Sequence, residues 1–197
     1  AKSQSMAELV SPRRRPRPPS FGAATHPHMD EMIRVDHAGE YGAVRIYAGQ
    51  RAVFSHLPSK RRLADYIAGQ EAEESVHLKA FDTLIHERAV RPTVFAPVWD
   101  VAGYALGVAT ALMGEKAAHA CTAAVEQVIE QHYAAQEDEL GQQDPSLKAM
   151  IATFRADETA HKEHALASGA QQAFGWPVLQ AVIRVGCQAA IAVSKKL

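Results

Sequence analysis

Two copies of a Glu-x-x-His motif, each preceded by an isolated glutamate, constrain this chain more than any other feature. The copies are Glu74–His77 and Glu158–His161. Glu40 lies 34 residues before the first copy, and Glu126 lies 32 residues before the second. Four carboxylates and two imidazoles in this duplicated order form the ligand set with which some four-helix bundles hold two metal ions. The motif therefore predicts a helical bundle with a dimetal site.

The chain that surrounds these motifs reads as helical throughout. No run of alternating β-branched residues predicts a strand, so we expect an all-α protein. Proline, glycine and capping residues place the helix ends, with Ser59 as one N-cap and Asp144, followed by Pro145, as another. Six helices are predicted, over about residues 30–56, 60–88, 97–114, 115–140, 145–168 and 176–194.

Helical periodicity puts the candidate ligands on the apolar faces of four of these helices. In the second helix, Ile67, Glu74 and Phe81 fall on one face, and the fifth helix repeats the pattern. Carboxylates rarely enter a core unless they are paired or bind metal, so an inward position favours metal binding over surface Glu-His pairs. We expect Glu40, Glu74, His77, Glu126, Glu158 and His161 to bind two iron or manganese ions, with Glu40 and Glu126 bridging them or completing the set.

Several neighbouring polar residues are candidates for supporting roles. Asp36 or Asp157 could orient a metal-binding imidazole. Tyr133 is either a packed core tyrosine or a proton donor or substrate contact beside the metals, and His132 is the residue before it. We expect His37 to pack in the core. The remaining acids fall off the inward faces and are expected in solvent: Glu71, Glu73, Glu87, Glu130, Glu137, Glu139 and Glu163.

Composition limits the other possibilities. A chain of 197 residues fits one folded domain, here residues 28–197, and a net charge of −1 gives no reason to expect nucleic acid as a partner.

Residues 1–27 are rich in proline and arginine, which predicts a disordered tail, either solvated or in weak contact with anionic lipid. This tail lacks the pattern of a signal or transit peptide. Cys121 and Cys187 are expected as buried free thiols.

The third and sixth predicted helices are more apolar than a plain bundle requires. The third is too short for a membrane span, and the sixth places Gln180, Arg184 and Gln188 on one face of an otherwise apolar helix. We expect these helices to lie in a membrane interface; packing on the bundle or on a second subunit is the alternative. An apolar platform beside a dimetal site predicts a lipid-soluble substrate.

Six sequence segments resemble one known family. They read RVDHAGEYGA at 34–43, ESVHLK at 74–79, RPTV at 91–94, LGVATALMG at 106–114, AVE at 124–126 with HY at 132–133, and DETAH at 157–161. Together they make the chain similar to the demethoxyubiquinone hydroxylases of ubiquinone biosynthesis, over about residues 32–197. All six of that family's metal-ligand positions are filled here.

The resemblance implies a ferritin-like di-iron protein that hydroxylates the ring of a polyprenylated demethoxyubiquinol with O₂. It implies two iron ions, NADH as the electron donor, and roles near the metals for His132 and Tyr133. It also implies a homo-oligomer, a lipid-presenting accessory protein, and peripheral attachment to a membrane. That membrane would be the bacterial cell membrane on its cytoplasmic side, which we favour, or the matrix side of the mitochondrial inner membrane. An iron-storage ferroxidase and a non-catalytic membrane scaffold are the alternatives.

Overall fold

The computed structural model describes residues 27–196, which form an all-α protein, as the sequence predicts. Two single turns of 3₁₀ helix, Pro58–Lys60 and Ala170–Gln172, connect longer elements. The six α-helices within this range are α1 (Pro27–Phe54), α2 (Arg61–Arg88), α3 (Ala96–Leu112), α4 (Glu115–Leu140), α5 (Pro145–Ala167) and α6 (Trp176–Lys196).

Four of these helices form a ferritin-like bundle, and the other two cover one side of it. α1 packs against α2, and α4 packs against α5. α3 lies along α1, while α6 contacts both α1 and α4. The two helices that the sequence marks as unusually apolar are therefore the two outside the bundle.

The ligand-bearing segments lie between two apolar clusters of the bundle core. One cluster contains Ile33, Phe81 and Ile151, and the other contains Phe54 and Ile67. On both α1 and α2, the candidate metal ligands lie in sequence between residues of one cluster and residues of the other. Burying a large apolar side chain stabilises a fold by about 1.5–3 kcal/mol, so the two clusters can hold a polar centre between them.

Glycines allow α3 to approach the backbone of α1 closely. A Cβ atom at Gly107 would lie 2.1 Å from the carbonyl oxygen of Ile46, and one at Gly49 would lie 2.3 Å from that of Tyr104. Neither carbonyl can move without displacing its helix. Gly49 and Gly107 therefore set the distance between α1 and α3.

The helix ends depart from the predictions in two places and agree with them in a third. Ser59 is not an N-cap, because Pro58 already fits a helical turn and Ser59 lies inside the 3₁₀ segment; α2 follows without a side-chain cap. Asp144 does cap α5, accepting a hydrogen bond from the Leu147 amide at 3.0 Å. Pro27 belongs to α1, whereas we predicted it in the disordered tail. The rest of that tail lies outside the described residues.

Candidate metal centre

The six predicted ligands meet in the middle of the bundle. Each is at most 4% exposed, and together they form two groups of four residues whose ligand atoms lie within 4.8 Å of one another. Glu40 and His77 belong to one group, and Glu126 and His161 belong to the other. Glu74 and Glu158 belong to both. The shared glutamates are therefore those of the motifs, and the isolated glutamates complete one group each.

The two groups have similar geometry about the imidazoles. Nδ1 of His77 lies 3.1 Å from Glu158 and 3.6 Å from Glu40. Nδ1 of His161 lies 3.0 Å from Glu74 and 3.5 Å from Glu158. In both groups the nitrogen that faces the glutamates of the cluster is Nδ1. This nitrogen is therefore the candidate metal ligand.

The donor atoms fit a pair of divalent cations. In the two ligand groups, the buried carboxylate oxygens without a hydrogen-bond partner among residues 27–196 are Oε2 of Glu40, both Oε atoms of Glu74, Oε2 of Glu126 and Oε2 of Glu158. Unpartnered buried carboxylates destabilise a protein strongly, whereas oxygen and imidazole ligands suit iron or manganese. The cluster can therefore hold metal, while the metal's identity stays a prediction.

The pKa values in the centre show how strongly it attracts positive charge. Burial, followed by the charge of nearby Glu158, raises the pKa of Glu74 and Glu126 well above the usual value. Burial by itself would lower the pKa of the imidazoles, but the carboxylates outweigh it and raise the pKa of His77 to about 11 and that of His161 to about 9. Protons therefore provide the positive charge at neutral pH when the cluster holds no cation.

An acid from the facing helix binds the outer nitrogen of each imidazole. Nε2 of His77 lies 3.2 Å from Asp157, and Nε2 of His161 lies 2.8 Å from Glu73. Asp157 was predicted to orient an imidazole, and it contacts one. Glu73 was expected in solvent, and its side chain is 59% exposed, but it also contacts His161, which the sequence did not predict. Glu73 directly precedes Glu74, as Asp157 directly precedes Glu158, but this position does not show which side chain of another helix it contacts.

A tyrosine hydroxyl binds each of the two isolated glutamates. Tyr133 donates a hydrogen bond to Glu40, and Tyr47 donates one to Oε1 of Glu126 at 2.7 Å. Burial and nearby carboxylates raise the pKa of both hydroxyls well above the usual value, so both remain neutral donors. We did not select Tyr47 from the sequence, although it shares the inward face of α1 with Glu40.

Asp36 and His132 form a separate polar group beside the centre. Oδ1 of Asp36 accepts a hydrogen bond from Gln136 at 2.8 Å and lies 3.3 Å from Nε2 of His132. The prediction that Asp36 could orient a metal-binding imidazole is wrong, because it reaches α4 and not the helices that carry His77 and His161. His37 contacts Asp82 at 2.9 Å and is not among the grouped ligands, consistent with a packing role.

An apolar cavity of about 380 Å³ adjoins the centre. Residues of α1, α3, α4 and α6 line it, including Ile46, Leu106, Val128 and Ile183. Tyr133 also lines it, so one side chain contacts both the cavity and the ligand Glu40. The free thiol of Cys187 lies in the cavity wall and is half-buried, whereas free Cys121 is fully buried.

The family described as ubiquinone biosynthesis protein COQ7 matches residues 27–194. The chain belongs to the COQ7 family. Among curated COQ7 relatives, the 3-demethoxyubiquinol 3-hydroxylase of Rhodospirillum rubrum is 47% identical over 169 residues, covering 86% of this chain and 78% of the relative. The human mitochondrial relative is 43% identical over 173 residues, with the same coverage. The resemblance stated from the sequence is thereby confirmed.

The names of COQ7 relatives differ in reductant and location. The human relative is named an NADPH-dependent 3-demethoxyubiquinone 3-hydroxylase, mitochondrial. The Saccharomyces cerevisiae relative, 35% identical over 196 residues that cover 91% of this chain and 83% of the relative, is named a mitochondrial 5-demethoxyubiquinone hydroxylase. All three relatives are therefore named as hydroxylases of a demethoxyubiquinol or demethoxyubiquinone, and the two eukaryotic relatives are named as mitochondrial.

Proposed function

We propose that this protein hydroxylates the ring of a polyprenylated demethoxyubiquinol with O₂ in ubiquinone biosynthesis, using two iron ions. The observation that carries the proposal is the contact of one side chain, Tyr133, with both the Glu/His cluster and the apolar cavity. A metal centre by itself would suit iron storage equally well. An apolar cavity of about 380 Å³ beside the metal centre favours a lipid-soluble substrate.

Iron bound in the centre would supply the redox chemistry that reduces O₂. The chain's contribution is to hold the ions and to keep water away. His77 and Glu40 would hold one ion and His161 and Glu126 the other, with Glu74 and Glu158 contacting both. Since all six side chains are buried, the reacting atoms would be screened from bulk solvent.

Tyr133 is placed to handle a proton between substrate and cluster. Its hydroxyl donates to Glu40, and its ring lines the cavity in which the quinol would lie. A ring hydroxyl beside Tyr133 could lose its proton through the tyrosine to the Glu40 carboxylate. His132 lines the same cavity and contacts Asp36, so its role would be on the substrate side and not at the metal.

The surface of α3 and α6 supports peripheral attachment to a membrane. α6 has a mean hydropathy of 1.4 over an 18-residue window, of which 11% is buried, so its length and composition would suit a membrane span. It also contacts α1 and α4 along the bundle, which favours a position in the membrane interface. The large exposed apolar residues in these two helices or within two residues of them include Val98, Val101, Tyr104, Leu112, Met113, Phe174, Val178, Val182 and Val185.

The proposed location is the surface of a quinone-containing membrane: the inner mitochondrial membrane in a eukaryote, or the cell membrane in a bacterium. The mitochondrial relatives support the first, and the Rhodospirillum rubrum relative leaves the second open.

Co-sedimentation with anionic vesicles tests the attachment: the wild-type protein should pellet with the vesicles, and Val182→Glu should reduce the fraction that pellets. A homo-oligomer and an accessory protein that presents the lipid remain predictions from family resemblance.

Quinone mass spectrometry tests the proposed reaction directly. The protein is loaded anaerobically with Fe(II), then given demethoxyubiquinone, a nicotinamide cofactor and air. A product heavier by one oxygen, absent when iron is omitted, supports the proposal. Oxygen uptake with unchanged quinone would favour a ferroxidase. The absence of both oxygen uptake and hydroxylated product would favour a non-catalytic scaffold. NADH is the donor we expect, and parallel reactions with NADPH test the dependence named for the human relative.

A further inference from the structure

Three buried polar atoms in the wall of the apolar cavity have no hydrogen-bond partner within residues 27–196. They are Oδ2 of Asp36, Nε1 of Trp99 and Oγ of Ser194. They come from α1, α3 and α6. Buried polar atoms are nearly always hydrogen-bonded, so three unpartnered atoms around one cavity are available to a molecule that binds there.

Contacts with α1 place these three residues at one end of the cavity. Arg34 donates a hydrogen bond to the carbonyl oxygen of Lys195 at 3.1 Å, which holds the end of α6 near the start of α1. Tyr41 donates to Asp100 at 3.0 Å, which holds the start of α3 near the same part of α1. Ser194 and Trp99 are the neighbours of these contact residues in the chain, and Asp36 lies between Arg34 and Tyr41.

This end of the cavity is also close to the metal centre. Asp36 precedes Glu40 by one helical turn, so their Cα atoms are separated by about 6 Å along α1. His132 contacts Asp36, and its neighbour Tyr133 contacts Glu40. A molecule bound at Asp36 would therefore lie beside Glu40, one of the candidate metal ligands.

We propose that Asp36 and Trp99 recognise the oxygenated ring of the quinol, Oδ2 of Asp36 accepting a hydrogen bond from a ring hydroxyl and Nε1 of Trp99 donating one to a ring oxygen. Ser194 lies at the same end and can bind a further ring oxygen. This inference rests on the proposed function and names the residues that position its substrate. The isoprenoid tail has no polar atom to offer, so of the two parts of this substrate only the ring can partner these three groups.

The hydrogen bonds of Asp36 favour the reduced ring over the oxidised one. Gln136 and His132 both approach Oδ1, which leaves Oδ2 for the ligand. A quinol hydroxyl can donate to a carboxylate oxygen, whereas a quinone carbonyl offers only another acceptor. The wild-type protein should therefore bind quinol more tightly than quinone, and Asp36→Asn, with an amide that can donate, should reduce this preference.

Calorimetric titration of the full-length, iron-loaded protein under anaerobic conditions tests the proposal. The probes are a methoxybenzoquinol with a decyl chain, the corresponding quinone, and decylbenzene, which has no ring oxygen. Trp99→Phe keeps the ring and removes the N–H, so it should bind the quinol about 3- to 10-fold more weakly. It should bind decylbenzene as the wild type does. Trp176→Phe, at the start of α6 and outside the cavity lining, is the matched control.

The results separate this proposal from a structural role and from the proposed function. Unchanged quinol affinity in both Trp99→Phe and Asp36→Asn would overturn it. Equal losses for quinol and decylbenzene would also overturn it, since they would report a collapsed cavity. A wild type that hydroxylates quinol while both variants bind normally would refute only this inference. A wild type that binds quinol through these residues without hydroxylating it would refute only the reaction.

Discussion

Nε2 of His161 lies 2.8 Å from Oε2 of Glu73, an acid of the facing helix. The first motif shows the same relationship with the two helices exchanged: Nε2 of His77 on α2 lies 3.2 Å from Asp157 on α5. Each acid directly precedes the motif glutamate of its own helix but contacts the imidazole of the other motif. A hydrogen on Nε2 that is donated to an acid leaves Nδ1 free to bind metal, so these acids fix the tautomer and the ring orientation.

Removal of either acid should weaken metal binding without removing a ligand. Glu73→Ala and Asp157→Ala should each lower the affinity for Fe(II) by about 10- to 100-fold, because the imidazole loses its orienting partner. Anaerobic competition with a coloured chelator measures this. Glu163→Ala, an exposed acid on α5, provides the control and should bind as the wild type does. Unchanged affinity in both variants would show that the bundle fixes the rings by packing alone.

Substitution of Glu158 should change the number of bound metal ions more than substitution of Glu126 does, because of these two residues only Glu158 is shared by the two ligand groups. Glu158 belongs to both ligand groups, so Glu158→Ala should abolish iron binding and hydroxylation together. Glu126 belongs to one group, so Glu126→Ala should retain the ion held by Glu40 and His77. Iron analysis after gel filtration, with circular dichroism to verify folding, distinguishes the two. Two retained ions in folded Glu158→Ala would refute the assignment of the site.

The raised pKa values of the imidazoles predict that metal binding releases protons. With the pKa of His77 at about 11 and that of His161 at about 9, both rings carry an extra proton near neutral pH when no metal is bound. The ions must displace these protons from Nδ1. Affinity should therefore rise with pH, about tenfold per unit for each proton released. Calorimetry in buffers of different ionisation enthalpy counts the protons, and a count of zero would contradict the prediction.

The sequence predicts the bundle and its ligands because both depend on periodicity. A glutamate on an apolar helical face has to be buried, and the spacing of four such residues then determines where they meet. Periodicity by itself thus places Glu40, Glu74, Glu126 and Glu158 in one cluster. The resemblance to the family added the expectation of iron and of a quinol substrate, neither of which periodicity supplies.

Contacts between side chains of different helices could not be predicted in the same way. Glu73 lies off the inward face of α2, and only the packing of α2 against the helix of the second motif brings it to His161. Asp36 and Asp157 are equivalent candidates in the sequence, yet Asp36 faces α4. The cavity was also beyond prediction, because its walls come from four helices whose relative positions depend on close backbone contacts such as that at Gly107.

The cap of α5 predicts a pH-dependent contribution to stability. Asp144 accepts hydrogen bonds from the Leu147 amide and Ser146 and pairs with Arg88, and these contacts outweigh its partial burial and lower its pKa to about 2. A carboxyl with a lowered pKa stabilises the fold above its unfolded value of 3.8 and loses this effect as the pH falls to about 2. Asp144→Ala should cost about 1 kcal/mol near neutral pH.

Urea unfolding of Asp144→Ala at several pH values measures this contribution. The difference from the wild type should shrink once the pH falls below about 4, because the Asp144 carboxyl of the unfolded chain then binds a proton that the folded chain does not bind until about pH 2. A difference that stays constant down to pH 2 would show that the ionised carboxylate contributes nothing beyond its shape.

The close contact at Gly107 predicts a loss of stability together with a loss of substrate binding. A methyl group there would lie 2.1 Å from the Ile46 carbonyl oxygen, so Gly107→Ala must push α3 away from α1. Overpacking of this kind costs about 1–3 kcal/mol. Trp99, Gly103 and Leu106 of α3 line the cavity, so the same displacement should raise the KM for the quinol.

Gly69→Ala on α2 is the matched control, because a methyl group there meets no atom within 4 Å. It should leave the KM unchanged and increase stability by about 0.5–1 kcal/mol, since alanine favours the helix. If Gly107→Ala were as stable as Gly69→Ala, α3 would have to be free to shift, and the glycine could not be what sets its distance from α1.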